Sequence, residues 1–317
     1  MVVSTVITSD NEVWNEQQVI ADIVEAAVTN QPITLDLIAE GPDFHELDIV
    51  DFILDLPNKY HYDLQNITVK TCNAVESSTS GINMQVSFPY HFVLSTQRSL
   101  QEIAINKNFS NTFGMFIGRS NQHRLDLSAY LFTTQKNKTL QTFHYDKNND
   151  YHRANLGLDK LVASGLPASS VSSFVDACPI LADDKPTYPI LMDQHCNLSH
   201  HYNSFFVEIV CETFFSGNTF FPTEKTWRSI ALGTPFIVQG PQYFLHRLRD
   251  MGFKTFENWW DEGYAEDPAN HQCFEIKRVI DYLGEKTHDE IDKMYQEMRP
   301  VLEHNRNLFF SLTEDSV

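Results

Sequence analysis

Apolar runs alternate with amphipathic stretches along most of the chain, and the clearest alternation lies in residues 205–241. Residues 205–211, FFVEIVC, are nearly all apolar and rich in β-branched and aromatic side chains, which suits a strand buried on both faces of a parallel sheet. Glu212 follows at the carboxyl end of that strand, and Gly217 and Asn218 mark a loop. Thr223 has the form of a helix N-cap, and Glu224 suits the positive amino end of the helix it opens. Trp227, Ile230 and Ala231 share one helical face, and Lys225, Arg228 and Ser229 share another. Gly233 stops the helix, residues 235–238 read as a second buried strand, and Gly240-Pro241 turns the chain.

The same grammar recurs upstream. Residues 33–39 and 67–72 read as strands on either side of the loop Glu40-Gly41-Pro42-Asp43 and an amphipathic stretch over 47–54, the order of a parallel α/β unit. A second unit opens with a strand over 112–117, the turn Gly118-Arg119-Ser120-Asn121, a helix over 122–132 and a strand over 139–143. Residues 144–200 are polar, contain proline and show no assignable period, and helices are predicted near 243–251, 274–283 and 288–308. The polar segment 106–111 is the expected boundary. It divides the chain into an N-terminal α/β domain over 1–105 and a fuller Rossmann-like domain over 106–317.

Length supports that division, since 317 residues with 42% hydrophobic content can fill two cores. The first thirty residues hold no basic segment followed by an apolar stretch, and no run of eighteen apolar residues occurs. The expectation is a soluble, cytoplasmic chain with no membrane partner. Cysteines at 72, 178, 196, 211 and 273 have no metal-ligand spacing, and their odd number argues against a disulfide framework. A net charge of −19 opposes non-specific contact with DNA or anionic lipid. With only 23 Lys and Arg in the chain, a helix start bearing Lys225 and Arg228 stands out.

Residues Glu212, Thr223, Glu224, Lys225, Trp227, Arg228, Gly240 and Pro241 together resemble the donor-binding motif of the α-1,3-fucosyltransferases. The resemblance covers residues 205–241. It departs from the family in having Glu-Thr where Glu-Asn is usual and a slightly longer loop before Thr-Glu-Lys. A weaker likeness joins Ser120, Asn121 and Arg124 to the family's phosphate-contacting turn, with Arg119 beside it. The resemblance implies a GT-B-like architecture, two Rossmann-like α/β domains facing a cleft. It also implies a metal-independent, inverting glycosyltransferase that needs no cofactor, takes a nucleoside diphosphate sugar with a GDP-sugar favoured, and acts on a glycan or other hydroxyl acceptor. Because Golgi members carry a membrane anchor, a bacterial or viral relative is expected.

Transfer leaves negative charge on the departing diphosphate, so cations and backbone N–H groups must face it. Lys225, Arg124 and the helix amino end suit that task, with Arg228 and Arg119 as further cations. Glu212 or Glu224 can accept from ribose hydroxyls. The plainer readings are a solvated helix face for Lys225, an i,i+4 pair with Glu224 for Arg228, surface arginines at 119 and 124, and a helix-capping carboxylate for Glu212. By the same resemblance the base comes from the first domain, where Glu40, Asp43 and His91 are the candidates, with His45 beside them. Trp259 and Trp260 read as packing, and His200-His201, His195-Cys196 and Asp183-Asp184 do not make a convincing metal site. Two alternatives stay open: a phage-type transferase acting on hydroxymethylated DNA bases, which needs a basic face, and a non-catalytic module of the same fold.

Overall fold

A computed structural model describes residues 2–4, 16–37, 41–47, 49–76, 81–118, 120–144, 158–182 and 196–317. It is an α/β structure with two four-stranded, all-parallel sheets. In the first half the order along the chain is β1 (Val2–Ser4), α1 (Glu16–Val28), β2 (Ile33–Leu37), α2 (Val50–Leu54), α3 (Leu56–Tyr60), β3 (Ile67–Thr71) and β4 (Asn83–Val86). The strands lie side by side in sequence order, with Ile33 opposite Ile67 and Leu37 opposite Thr71. The amphipathic stretch expected over 47–54 holds α2, and α3 follows beyond it after Asp55, with Pro57 in the first turn of α3, where a missing N–H costs nothing. Ile23, Leu35, Ile53, Ile67 and Val69 fill the core of this half.

After β4 come α4 (Tyr90–Leu100), β5 (Asn111–Ile117), α5 (Gln122–Thr134), β6 (Thr139–Phe143), α6 (Leu158–Ala163), α7 (Ala168–Ala177), α8 (Cys196–Ser199), β7 (Phe205–Cys211), α9 (Glu224–Ala231), β8 (Phe236–Gln239), α10 (Phe244–Asp250), α11 (Ala269–Gly284) and α12 (His288–Ser311). The second sheet has the order β6-β5-β7-β8. β7 and β8 are buried along their whole length, as strands covered by helices on both faces must be. The first core ends at Ile82 and the second begins at Val93, so α4, which a division at residue 105 gives to the first half, packs with the second. It lies on α9, and the end of α12 clasps it through Gln97 Nε2 to Phe309 O (2.7 Å) and Tyr90 Oη to Leu312 O (3.3 Å).

The halves meet through the loop between β7 and α9. Asn73, at the carboxyl end of β3, accepts from Phe220 N (2.9 Å) and donates to Asn218 O (2.9 Å), and Ala74 N donates to Phe220 O (3.1 Å). Thr219 donates its hydroxyl proton to Gly41 O. A Cβ on Gly41 would stand 2.7 Å from the Phe221 ring and 2.8 Å from Asn73 N, so only glycine permits this approach. Among the described residues, no helix is long and apolar enough to cross a membrane.

Candidate functional site

In the second sheet, chain order reverses between β5 and β7: the link from β5 leads outward to β6, and the link from β7 leads the other way to β8. Ligands of open parallel sheets bind outside the carboxyl ends of the strands at such a switch point. Gly118, Ser120 and Asn121 close β5 at this place, and Glu212 and Thr213 close β7.

Asn121 opens α5 by accepting from Arg124 N (3.1 Å) through its side chain, the role of an N-cap. Ser120 is buried beside it. Arg124 is buried too and donates from Nη2 to Glu212 O (2.8 Å), tying the two strand ends together across the switch point. Arg119 lies outside the described residues.

The Glu212 carboxylate is buried and committed. It accepts from Thr223 N (3.2 Å), Thr223 Oγ1 (2.6 Å) and Thr226 Oγ1 (2.5 Å), so it grips the first turn of α9. That geometry is the capping arrangement, and its oxygens meet threonines where the ribose role requires a ligand. Thr223 caps the helix by accepting from Lys225 N (3.4 Å). Lys225 is partly exposed; its Nζ lies 3.0 Å from Thr223 Oγ1, 3.5 Å from Thr213 Oγ1 and 3.0 Å from Glu224 Oε1. Glu224 is also partly exposed and shares this edge of the crevice.

Arg228 is not brought to the crevice. It is buried, 3.2 Å from Glu208 Oε1, donates to the Tyr202 hydroxyl, and lies over the Tyr202 ring at 5.4 Å. Glu208, a carboxylate inside the apolar run of β7, also accepts from Tyr202 Oη (2.8 Å) and from the Ser229 hydroxyl. A cation enclosed in this way serves the core and reaches no ligand. Trp227 is likewise core, stacked on Phe309 with its Nε1 donating to Pro222 O (3.1 Å). Gly240 donates its N–H to Gln272 Oε1 (3.1 Å) in the turn after β8.

The three candidate bases separate. Glu40 lies outside the described residues. Asp43 caps the turn at Phe44–Glu46 through His45 N (2.9 Å) and accepts from Asn218 N (2.7 Å) at the contact between the halves. Nearby Glu46 has its pKa raised by burial and by Asp43, against a lowering bond from Ser216. His45 is exposed, 3.8 Å from Glu76. His91, in the first turn of α4, lies beside the Phe92 ring at a tilt and feels the Glu224 carboxylate; burial of part of the ring lowers its pKa, which Glu224 partly offsets. It is thus a neutral imidazole beside the Lys225 edge near neutral pH.

His123 was not singled out by the sequence. It sits in the first turn of α5 with its ring 3.5 Å from the Phe215 ring, centroid to centroid, and burial, then Arg124, hold its pKa well below the usual value. Its Nε2 has no hydrogen-bond partner among the described residues. A histidine two residues after a capping Asn at a strand end was the available signal. Among the described residues no group of three His, Cys, Asp or Glu is placed to hold a metal ion.

No protein-family model matches the chain, and no curated protein matches it at a significant level. The chemistry of the site therefore stands on its own geometry.

Proposed function

We propose that the chain is a glycosyltransferase of GT-B-like arrangement that takes a nucleoside diphosphate sugar in the crevice at the β5/β7 switch point. The observation that supports this most is the bond from Arg124 to Glu212 O, together with the Glu212 grip on Thr223 and Thr226. Two strand ends and the amino end of α9 are thereby held as one rigid donor surface, with Lys225 on its open edge.

In this reading the diphosphate lies against the N–H groups of α9 and the Lys225 ammonium, with Arg124 adding positive potential from below. Glu224 takes the ribose role. His91 accepts the proton of the acceptor hydroxyl as its oxygen bonds to the anomeric carbon. The bond from that carbon to the diphosphate oxygen breaks, and the diphosphate leaves with the electron pair. The GDP-sugar preference and the inverting outcome rest on the resemblance described above.

Thermal melts with a panel of nucleoside diphosphates and their sugars test this. Binding to the native state raises the melting temperature by mass action. One nucleotide should stabilise the wild type, and Lys225→Ala should bind it at least about tenfold more weakly, the loss of one charge-assisted contact. Absence of any shift across the panel would overturn the donor site. Asp43 is spent on a structural contact, which favours a non-catalytic module as the second reading. Binding without any transfer or donor hydrolysis, unchanged in His91→Gln, would select it.

A further inference from the structure

A second polar cavity of about 330 Å³ lies at the other end of α9, on the amino-end side of the second sheet. Its walls come from the link into β5 (Asn106 and Lys107), from Gly233 at the end of α9, and from one face of α12 (Tyr295, Arg299, Glu303 and Arg306). α9 has eight residues, so about 12 Å of helix separates this cavity from the crevice.

Three cations and one carboxylate face the cavity, in a chain whose net charge is −19. The bonding left over is nearly all donating. Lys107 Nζ gives two protons, to Tyr202 O (2.6 Å) and Thr234 Oγ1 (2.5 Å), and keeps a third. Arg306 uses Nε on Ala231 O (2.8 Å) and Nη2 on Gln101 O (3.5 Å) and Ile103 O (3.4 Å); its Nη1 has no hydrogen bond among the described residues. Arg299 holds Gln296 Oε1 (3.5 Å) and Glu303 Oε1 (3.3 Å), which occupies the one carboxylate of the lining. Tyr295 spends its proton on Gly233 O (3.2 Å).

We propose that this cavity is a binding site for a small phosphate ester, held by Lys107, Arg299 and Arg306. A tetrahedral oxyanion accepts from several directions at once, which matches converging donors with few acceptors. The cavity has room for more than the phosphate group alone, so the ester's organic part fits as well. Burial lowers the Lys107 pKa to about 7, with Glu208 opposing, and a bound oxyanion would add a nearer negative charge on the cavity side. The same occupant would touch the link between the two sheets, since Arg306 grips the carbonyls of Gln101 and Ile103. The site does not depend on transfer at the crevice.

Titration calorimetry with inorganic phosphate on the full chain, at a pH below about 7 so that Lys107 carries its proton, is the test. Saturable phosphate binding is expected, weakened about tenfold in Lys107→Met and measurably in Arg299→Gln. Arg299 is largely exposed, so its variant decides the matter if Lys107→Met fails to fold. Phosphate binding abolished by Lys225→Ala and indifferent to Arg299→Gln would move the ion to the crevice and overturn the proposal. So would the absence of saturable uptake by the wild type. A failed nucleotide panel with phosphate still held by Arg299 and Lys107 would sink the donor site alone.

Discussion

Glu208 lies within β7 and Glu212 directly follows its last residue, and both hold α9. Glu208 takes Arg228 and Ser229, and Glu212 takes Thr223 and Thr226. Arg228→Met leaves the Glu208 charge buried without its cation, and a loss of about 3–5 kcal/mol is expected in urea unfolding. Replacing the pair together, Glu208→Leu with Arg228→Met, should cost far less than the single change; equal losses would show that the cation acts through packing alone. His123 has a different consequence. The native ring stays neutral below 6.5, while the unfolded chain takes up a proton there, so stability falls as pH drops through that value. The fall is about 1.4 kcal/mol per pH unit until the native ring protonates. His91, whose pKa is also lowered, adds in the same direction. Thermal melts between neutrality and about pH 5 should show a shallower fall in His123→Leu, and an unchanged slope would remove His123 as the cause.

At the scale of the element, α9 turns its polar side to the sheet. Thr226, Arg228 and Ser229 are all buried on β7, while Trp227 reaches Phe253 and Phe309 on the other side. The helix start depends on Glu212 more than on its own cap, because one carboxylate holds Thr223 by backbone and hydroxyl and Thr226 by hydroxyl. Glu212→Ala should destabilise the protein by about 1–3 kcal/mol and speed amide exchange at residues 223–227. Exchange rates equal to wild type in that turn would mean that Thr223 caps unaided. The predicted elements 205–211, 235–238 and 122–132 agree with β7, β8 and α5, because each is a strong apolar or amphipathic run with a marked end. β4 had no such mark: NMQV is an edge strand with three of its four side chains exposed, so it lacks the buried face that produces a pattern.

Across the whole molecule, Asn73 is the residue on which the contact between the two halves converges. Its amide serves Asn218 O and Phe220 N from one side chain, and the loop it holds carries Phe214, Phe215 and the lead into Thr223. Asn73→Ala is expected to leave both cores folded, to cost about 1–3 kcal/mol, and to open residues 213–222 to limited proteolysis. A loop as resistant as wild type would place the adhesion in the Thr219–Gly41 and Asn218–Asp43 contacts instead.

What the sequence determined by itself was local: parallel α/β units, the strand, cap and helix around Glu212 and Thr223, and the strand end at Ser120 and Asn121. These are legible because a buried strand, an N-cap and a helical face each depend on neighbours within a few residues. Tertiary structure decided which charges are available. Arg228 and Lys225 share a helix and look alike along the chain, yet one is enclosed by Glu208 and Tyr202 and the other stands at an open edge. It also decided that α4 joins the second core, that Asp43 is spent on Asn218, and that Lys107, far in sequence from Arg306, faces the same cavity. The physical reason is that a charge takes its role from burial and partners, and those are fixed by strands and helices whose residues lie far apart in the chain.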